Sequence, residues 1–390
     1  MSKKKILLNA FNMNCIGHIN HGLWTHPRDN STEYKTLEYW TELAKILERG
    51  LFDGLFIADI VGVYDVYQDS IDVPLQESIQ LPVNDPLLLV SAMAAVTQHL
   101  GFGLTANLTY EPPYLFARRM STLDHLSRGR VGWNIVTGYL DSAAKAMGLT
   151  EQVEHDRRYD QADEYLQVLY KLWEGSWEDD AVRNDRQARV YAQPGKVHKV
   201  RASAVEAGRN PDDIKVFMGL NVIVGATEAL AWNKHAEYLS YASAEAGVAH
   251  FSASTGIDFA QYALDEPIQY VKSNAIQSAT QNLQNNDWTR RKLLDQHALG
   301  GRYITLVGSP EQVADELESW ISETGLDGFN LTRIVTPESY VDFIELVIPE
   351  LQRRGSYKTE YAQGTLREKV FHDTARLPSQ HTGSTYRHIV

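Results

Sequence analysis

A single cysteine, Cys15, in 390 residues rules out any intrachain disulfide, so a chain held by packing and a cytoplasmic location are expected. Positive charge is also scarce: 37 Lys and Arg stand against 50 Asp and Glu, a net charge of −13. That balance argues against nucleic acid as the partner, because phosphate binding needs clustered cations. No apolar run reaches the roughly 18 residues needed to cross a bilayer, so no membrane span is expected. The opening "MSKKKILLNAFNMN" is basic, but Asn9, Asn12 and Asn14 break its apolar run, so no signal peptide is expected. Several motifs are missing too. There is no G-x-S-x-G, no P-loop, and no G-x-G-x-x-G opening a helix after a strand. "HINH" places His18 near His21, yet no carboxylate or second pair completes a ligand set, and no metal is expected. Cys15 with His18 suggests a nucleophile and base, but no third group orients them.

What is present is an alternation of short apolar, β-branched runs with amphipathic helical stretches, the pattern of a parallel α/β fold. Six strands are expected: Lys5–Phe11, Leu51–Asp59, Gly101–Tyr110, Arg130–Thr137, Ile214–Gly225 and Gly328–Val335. Helices are expected between them, one closing on Gly50 as a stop signal. Residues 229–301 read as an irregular polar excursion, a candidate lid, and the polar tail 353–390 as a strap over the surface or a partner subunit. The whole, 1–390, reads as one domain. Six strands suit a doubly wound sheet, whereas a (β/α)₈ barrel needs eight, and none is visible between Val136 and Ile214.

Polar residues fall at the ends of consecutive strands: Asp59 after "LFIA", Asn107 in "LTANL", Asn134 and Thr137 in "VGWNIVT". In parallel α/β proteins that edge binds ligands, although Asp59 serves equally well as a helix N-cap. In "EHDRRYDQADEY", His155 and Tyr159 lie four apart on one helical face and can reach one ligand. A solvated helix start, with Asp156 and Asp160 near its positive end, explains the same residues.

Longer stretches carry a family likeness. "LNAFNMNCIGHINHGLW", "GLFIADIVGVYDVY", "LPVNDPLLLVSAMAAVT", "RRMSTLDHLSRGRVGWNIVT" and "EHDRRYDQADEYLQVLYKLWEGSWEDDAV" resemble the bacterial-luciferase-like flavin monooxygenases. The branch is that of the nitrilotriacetate, dibenzothiophene-sulfone, dimethyl-sulfide and long-chain alkane enzymes. The likeness resumes in "VGSPEQVADEL", "GLDGFNL" and "YKTEYAQGTLREK". It implies a luciferase-like TIM barrel with insertions, a homodimer or homotetramer, and FMNH₂ supplied by a separate NAD(P)H:flavin reductase. It further implies O₂ as co-substrate, a flavin C4a-hydroperoxide as oxidant, and a small apolar substrate of the sulfide or alkane type. Carried over by motif, Asp59, Gly138, Tyr139, His155 and Tyr159 line the flavin, with Thr105, Asn107, Asn134 and Thr137 beside them. Residues implicated in catalysis in the alkane enzymes correspond to Cys15, Tyr64 and Gln80. A catalytic histidine of those enzymes falls at Tyr139, a departure that leaves the sulfide reading open.

A second departure is larger. After "PGKVHKV" the family continues for roughly sixty residues, the length of two βα units, bearing two barrel strands and a Q-A-G-x-S-x-x-G loop for the FMN phosphate. Here "RASAVEAGRNP" follows at once, so two strands are missing at Val200–Arg201. A normal barrel cannot leave two edges facing a gap, which suggests that the natural chain carries the block. Two other functions share the implied scaffold: a lyase that uses reduced flavin to cleave riboflavin, and a flavin-binding relic without catalysis. A dehydrogenase on a doubly wound sheet lacks its glycine fingerprint.

Overall fold

Short runs rich in Val, Ile, Leu and Phe pair side by side and bury both faces, as strands of a parallel sheet must. The computed structural model describes residues 4–178, 180–193, 215–268, 276, 288–301 and 303–388. Among these, the strands are β1 (Leu7–Met13), β2 (Gly54–Ala58), β3 (Gly101–Asn107), β4 (Val131–Val136), β5 (Val182–Asp185), β6 (Val190–Ala192), β7 (Phe217–Val224), β8 (Ile304–Gly308) and β9 (Gly328–Thr332). Seven form one sheet in the order β4-β3-β2-β1-β9-β7-β8, and every pairing in it is parallel. All seven carboxyl ends therefore lie along one rim. Among the described residues β4 and β8 have one neighbour each and end the sheet.

Helices cover the outside. Leu37–Arg49 is capped by the Thr36 side chain, which accepts from the Tyr39 amide, and it buries Tyr39, Trp40, Leu43, Ala44 and Leu47 on one stripe. Pro113–Ser127 starts with Pro at its first turn, and His155–Glu174 packs beside it.

The expected count of six strands is corrected to seven. The added one, β8, begins three residues after the expected excursion closes, and its first residue, Ile304, is 55% exposed. The span from Val136 to Ile214 is not strandless either: β5 and β6 form an exposed antiparallel hairpin outside the sheet. Residues 229–301, expected to be irregular, contain the helices Glu228–Tyr241, Ala244–Thr255 and Arg290–His297. Glu228–Tyr241 packs against β7 and β8, whereas Ala244–Thr255 and Arg290–His297 pack on each other, and Ala244–Thr255 joins the apolar cluster of Tyr64, Tyr67 and Ile79.

The tail lies on this chain's own surface, under the amino ends of the strands. Tyr357 and Tyr361 donate to the Leu51 and Phe52 carbonyls at 2.7 and 2.6 Å, and Lys358 pairs with Asp53 at 2.7 Å. A side chain on Gly101 would sit 2.7 Å from Leu366, so glycine there lets the tail close against β3. The junction Val200–Arg201 lies outside the described residues.

Candidate active site

Strand register brings the polar ends together. The β3–β4 pairing sets Thr105 opposite Asn134 and Asn107 opposite Val136. Alternation along β3 then puts Gly103, Thr105 and Asn107 on the inner face and Phe102, Leu104 and Ala106 in the core. β2 ends one residue before Asp59. After β4 the chain turns sharply at Gly138, with φ +69°, and a Cβ there would sit 2.4 Å from the Asn107 Nδ2. Only glycine fits this left-handed position beside the amide. Thr109 pins the turn from below, its hydroxyl donating to the Thr137 carbonyl at 2.8 Å.

These groups surround a cavity of about 600 Å³, lined by Asp59, Thr105, Asn107, Thr137, Gly138, Tyr139, His155 and Tyr159 together with Ile60, Val61 and Arg158. Its size suits a small-molecule site. Burial pushes the Asp59 carboxyl up to about 7, Asp85 adds to the rise, and the Ile60 amide works against it. His155 and Tyr159 face one another with ring centroids 5.1 Å apart, and the His155 Nδ1 lies 2.8 Å from the Asp156 carboxylate. A buried cation, Arg158, completes the wall and donates to the Val153 carbonyl at 2.6 Å.

The remaining expected residues sit elsewhere. Asn134 donates to the Thr105 hydroxyl at 3.0 Å but lines a second space, of about 1240 Å³, toward the tail. Cys15, Tyr64 and Gln80 are buried and are not among the residues that line this cavity. Tyr64 donates to the Gln80 oxygen at 2.6 Å. Cys15 keeps its proton: burial pushes the thiol up to about 12, Asp59 reinforces this, and Arg333 opposes it. Its Sγ lies 3.2 Å from the Gly17 carbonyl, to which the thiol donates. Tyr139 connects the two regions, since it lines the cavity and packs on the apolar cluster containing Tyr64, Tyr67 and Ile79.

Two residues escaped the sequence reading. Arg158 sits in the charged run "DRRYD", where nothing separates a wall residue from a solvated one. His250 lies in "AEAGVAHFSAST", whose small residues show no stripe, yet it touches both Tyr64 and Gln80. Among the described residues no helix is long and apolar enough to cross a membrane, and no group of three or more ligating side chains could hold a metal.

A parallel barrel-type sheet whose strand ends converge on one cavity defines an α/β enzyme acting on a small molecule. The family follows from comparison with known proteins. The chain matches the luciferase-like monooxygenases over residues 20–197 and 189–328 and belongs to that family of flavin-dependent monooxygenases, with its TIM-barrel-type fold. It is 43% identical over 452 aligned positions to a dimethyl-sulfide monooxygenase of Hyphomicrobium sulfonivorans, covering 99% of this chain and 94% of the relative. A long-chain alkane monooxygenase of Geobacillus thermodenitrificans is 43% identical over 450 positions, covering 99% of both. The crystal structure of a riboflavin lyase with modified FMN superposes with a TM-score of 0.91 at 32% identity, covering 98% of this chain and all of that one. The 452 aligned positions exceed the 390 residues here, so the first relative carries positions without a counterpart in this chain. The two segments of the family match meet at residues 189–197, beside Val200–Arg201.

Proposed function

We propose that the protein is the oxygenating component of a two-component system. It takes FMNH₂ from a separate reductase and uses O₂ to oxygenate a small apolar compound of the sulfide or alkane type. The observation that carries this reading is the convergence of Asp59, Thr105, Asn107, Thr137, Gly138, Tyr139, His155 and Tyr159 on one cavity. Its volume and polar wall suit an isoalloxazine ring, and Gly138 leaves the close approach that a flat ring edge needs. Bound reduced flavin supplies the two electrons by which one oxygen atom enters the substrate and the other leaves as water.

The chain's own residues bind, orient and exclude water. Asp59, uncharged below about pH 7, can donate one hydrogen bond into the cavity. Ile60, Val61 and Tyr139 form its apolar side, continuous with the cluster under the helix Ala244–Thr255. That continuity supports an apolar substrate, and excluding water there protects a reactive oxidant from wasteful breakdown.

The test is product mass spectrometry with ¹⁸O₂, reduced FMN generated in situ, and a panel of sulfides and alkanes. A product that gains one labelled oxygen supports the proposal. Consumption of riboflavin with no other substrate present would assign the lyase activity instead. Flavin binding without any product would leave a binding protein.

A further inference from the structure

His21 of "HINH" meets a histidine from a distant helix. His21 is buried and meets His250 of the helix Ala244–Thr255, with Nε2 and Nδ1 3.1 Å apart and the rings edge to face. His250 stacks on Tyr64 at 5.1 Å between centroids, and its Nε2 lies 3.4 Å from the Gln80 Nε2. Gln80 in turn accepts from the Tyr64 hydroxyl at 2.6 Å.

The hydrogens along this line follow by elimination. A separation of 2.6 Å suits O–H···O and is short for N–H···O, so the amide oxygen of Gln80 faces Tyr64. The Gln80 nitrogen has only hydrogens to give, so His250 Nε2 accepts. A neutral imidazole with a bare Nε2 carries its hydrogen on Nδ1, and that hydrogen is aimed at His21 Nε2. Burial, with His297 and Arg333 adding to it, holds the His21 imidazole down at about 3, so the ring is neutral near pH 7, and with Nε2 accepting its hydrogen sits on Nδ1, which has no hydrogen-bond partner among the described residues.

We infer that His21 is a positioning residue: by accepting from His250 it locks a one-way hydrogen-bond line that commits the Tyr64 proton to Gln80. The Tyr64 oxygen is then an acceptor only. The inference rests on the reading that Tyr64 and Gln80 serve the oxygenation site.

The test is a long-range ¹H–¹⁵N spectrum of the ¹⁵N-histidine-labelled protein without flavin or substrate. His250 is expected in its Nδ1–H form near neutral pH, with His21 neutral. His21→Leu should abolish that form, whereas His21→Gln, whose side-chain oxygen can accept, should keep it. In turnover, His21→Leu should lower kcat about tenfold with KM for reduced flavin unchanged, and His21→Gln should recover most of the loss. An Nε2–H form of His250 in the unaltered protein overturns the inference, as does a His250 signal indifferent to His21→Leu. Should the leucine variant fail to fold, the unaltered protein's spectrum decides alone. Failure of the oxygenation reading shows separately, as absent product from the unaltered protein.

Discussion

Replacing Asp59 by asparagine should change how stability responds to pH. Burial, the largest influence, lifts this carboxyl from 3.8 to about 7 in the folded protein. In the unfolded chain it ionises near 3.8, so between those values the native state holds a proton that the unfolded state has released. Stability therefore falls as pH rises through that window, and the deficit is complete above about 7. Three units at about 1.4 kcal/mol each set a ceiling of about 4 kcal/mol. Asp59 is only partly buried, and solvent screening brings the expected figure to roughly 2 kcal/mol. Asn has nearly the same shape and never ionises. Urea unfolding should therefore find Asp59→Asn more stable by roughly 2 kcal/mol near pH 8 and equal to the parent near pH 4. FMNH₂ affinity of the parent should weaken across pH 7 if the neutral carboxyl donates to the flavin, and that of the variant should not. Parallel stability curves for the two proteins would refute the argument.

Other perturbations address the same cavity. Gly138→Ala must hold a side chain at φ +69° against the Asn107 amide, and calorimetry should show a loss of about 1–3 kcal/mol together with weakened flavin binding. Tyr159→Phe removes one hydroxyl from an exposed wall position, so FMNH₂ binding should weaken by about 0.5–1.5 kcal/mol with the melting temperature nearly unchanged. A large fall in melting temperature with unaltered affinity would make Tyr159 structural. Under anaerobic titration FMNH₂ should bind more tightly than oxidised FMN, since a reductase-fed enzyme must capture the reduced form first; equal affinities count against that supply route. Finally, the seven strands described in the sheet leave an eight-stranded barrel one short; if the natural chain carries a further block at Val200–Arg201, protein from its native cell has an intact mass above the 44.0 kDa of this sequence, and a mass of 44.0 kDa sinks that idea.

Where one face was buried and the other polar, the sequence was legible. The stripe of Leu37–Arg49 and the alternation in "GFGLTAN" correspond to the helix and strand observed there. The rim residues were legible for the same reason, because a polar side chain at the end of an apolar strand has few other places to be. The helix Ala244–Thr255 was not, since Ala246, Gly247, Val248, Ala249, Ser252, Ala253, Ser254 and Thr255 are all buried and so leave no stripe. Strand β8 was missed because only Gly308 in it is fully buried, so its pattern is weak beside that of β7. His21 could be found in the sequence but not its partner, which lies 229 positions away. Asp59 was visible as a candidate, while its raised carboxyl depends on burial by segments distant in the sequence.

The strap under the barrel also has a bearing on how the protein is made. Tyr357 reaches back 306 positions to Leu51, and Tyr361 reaches back 309 to Phe52. These contacts come from residues translated some 306–309 positions after the strands whose floor they seal. Until Tyr357 and Tyr361 have been translated, the amino ends of β2 and β3 stand uncovered, and the nascent protein depends on whatever shelters it during that interval. A product that terminates early, or one trimmed at its carboxyl end, is then a vessel without a base and not merely a shorter enzyme.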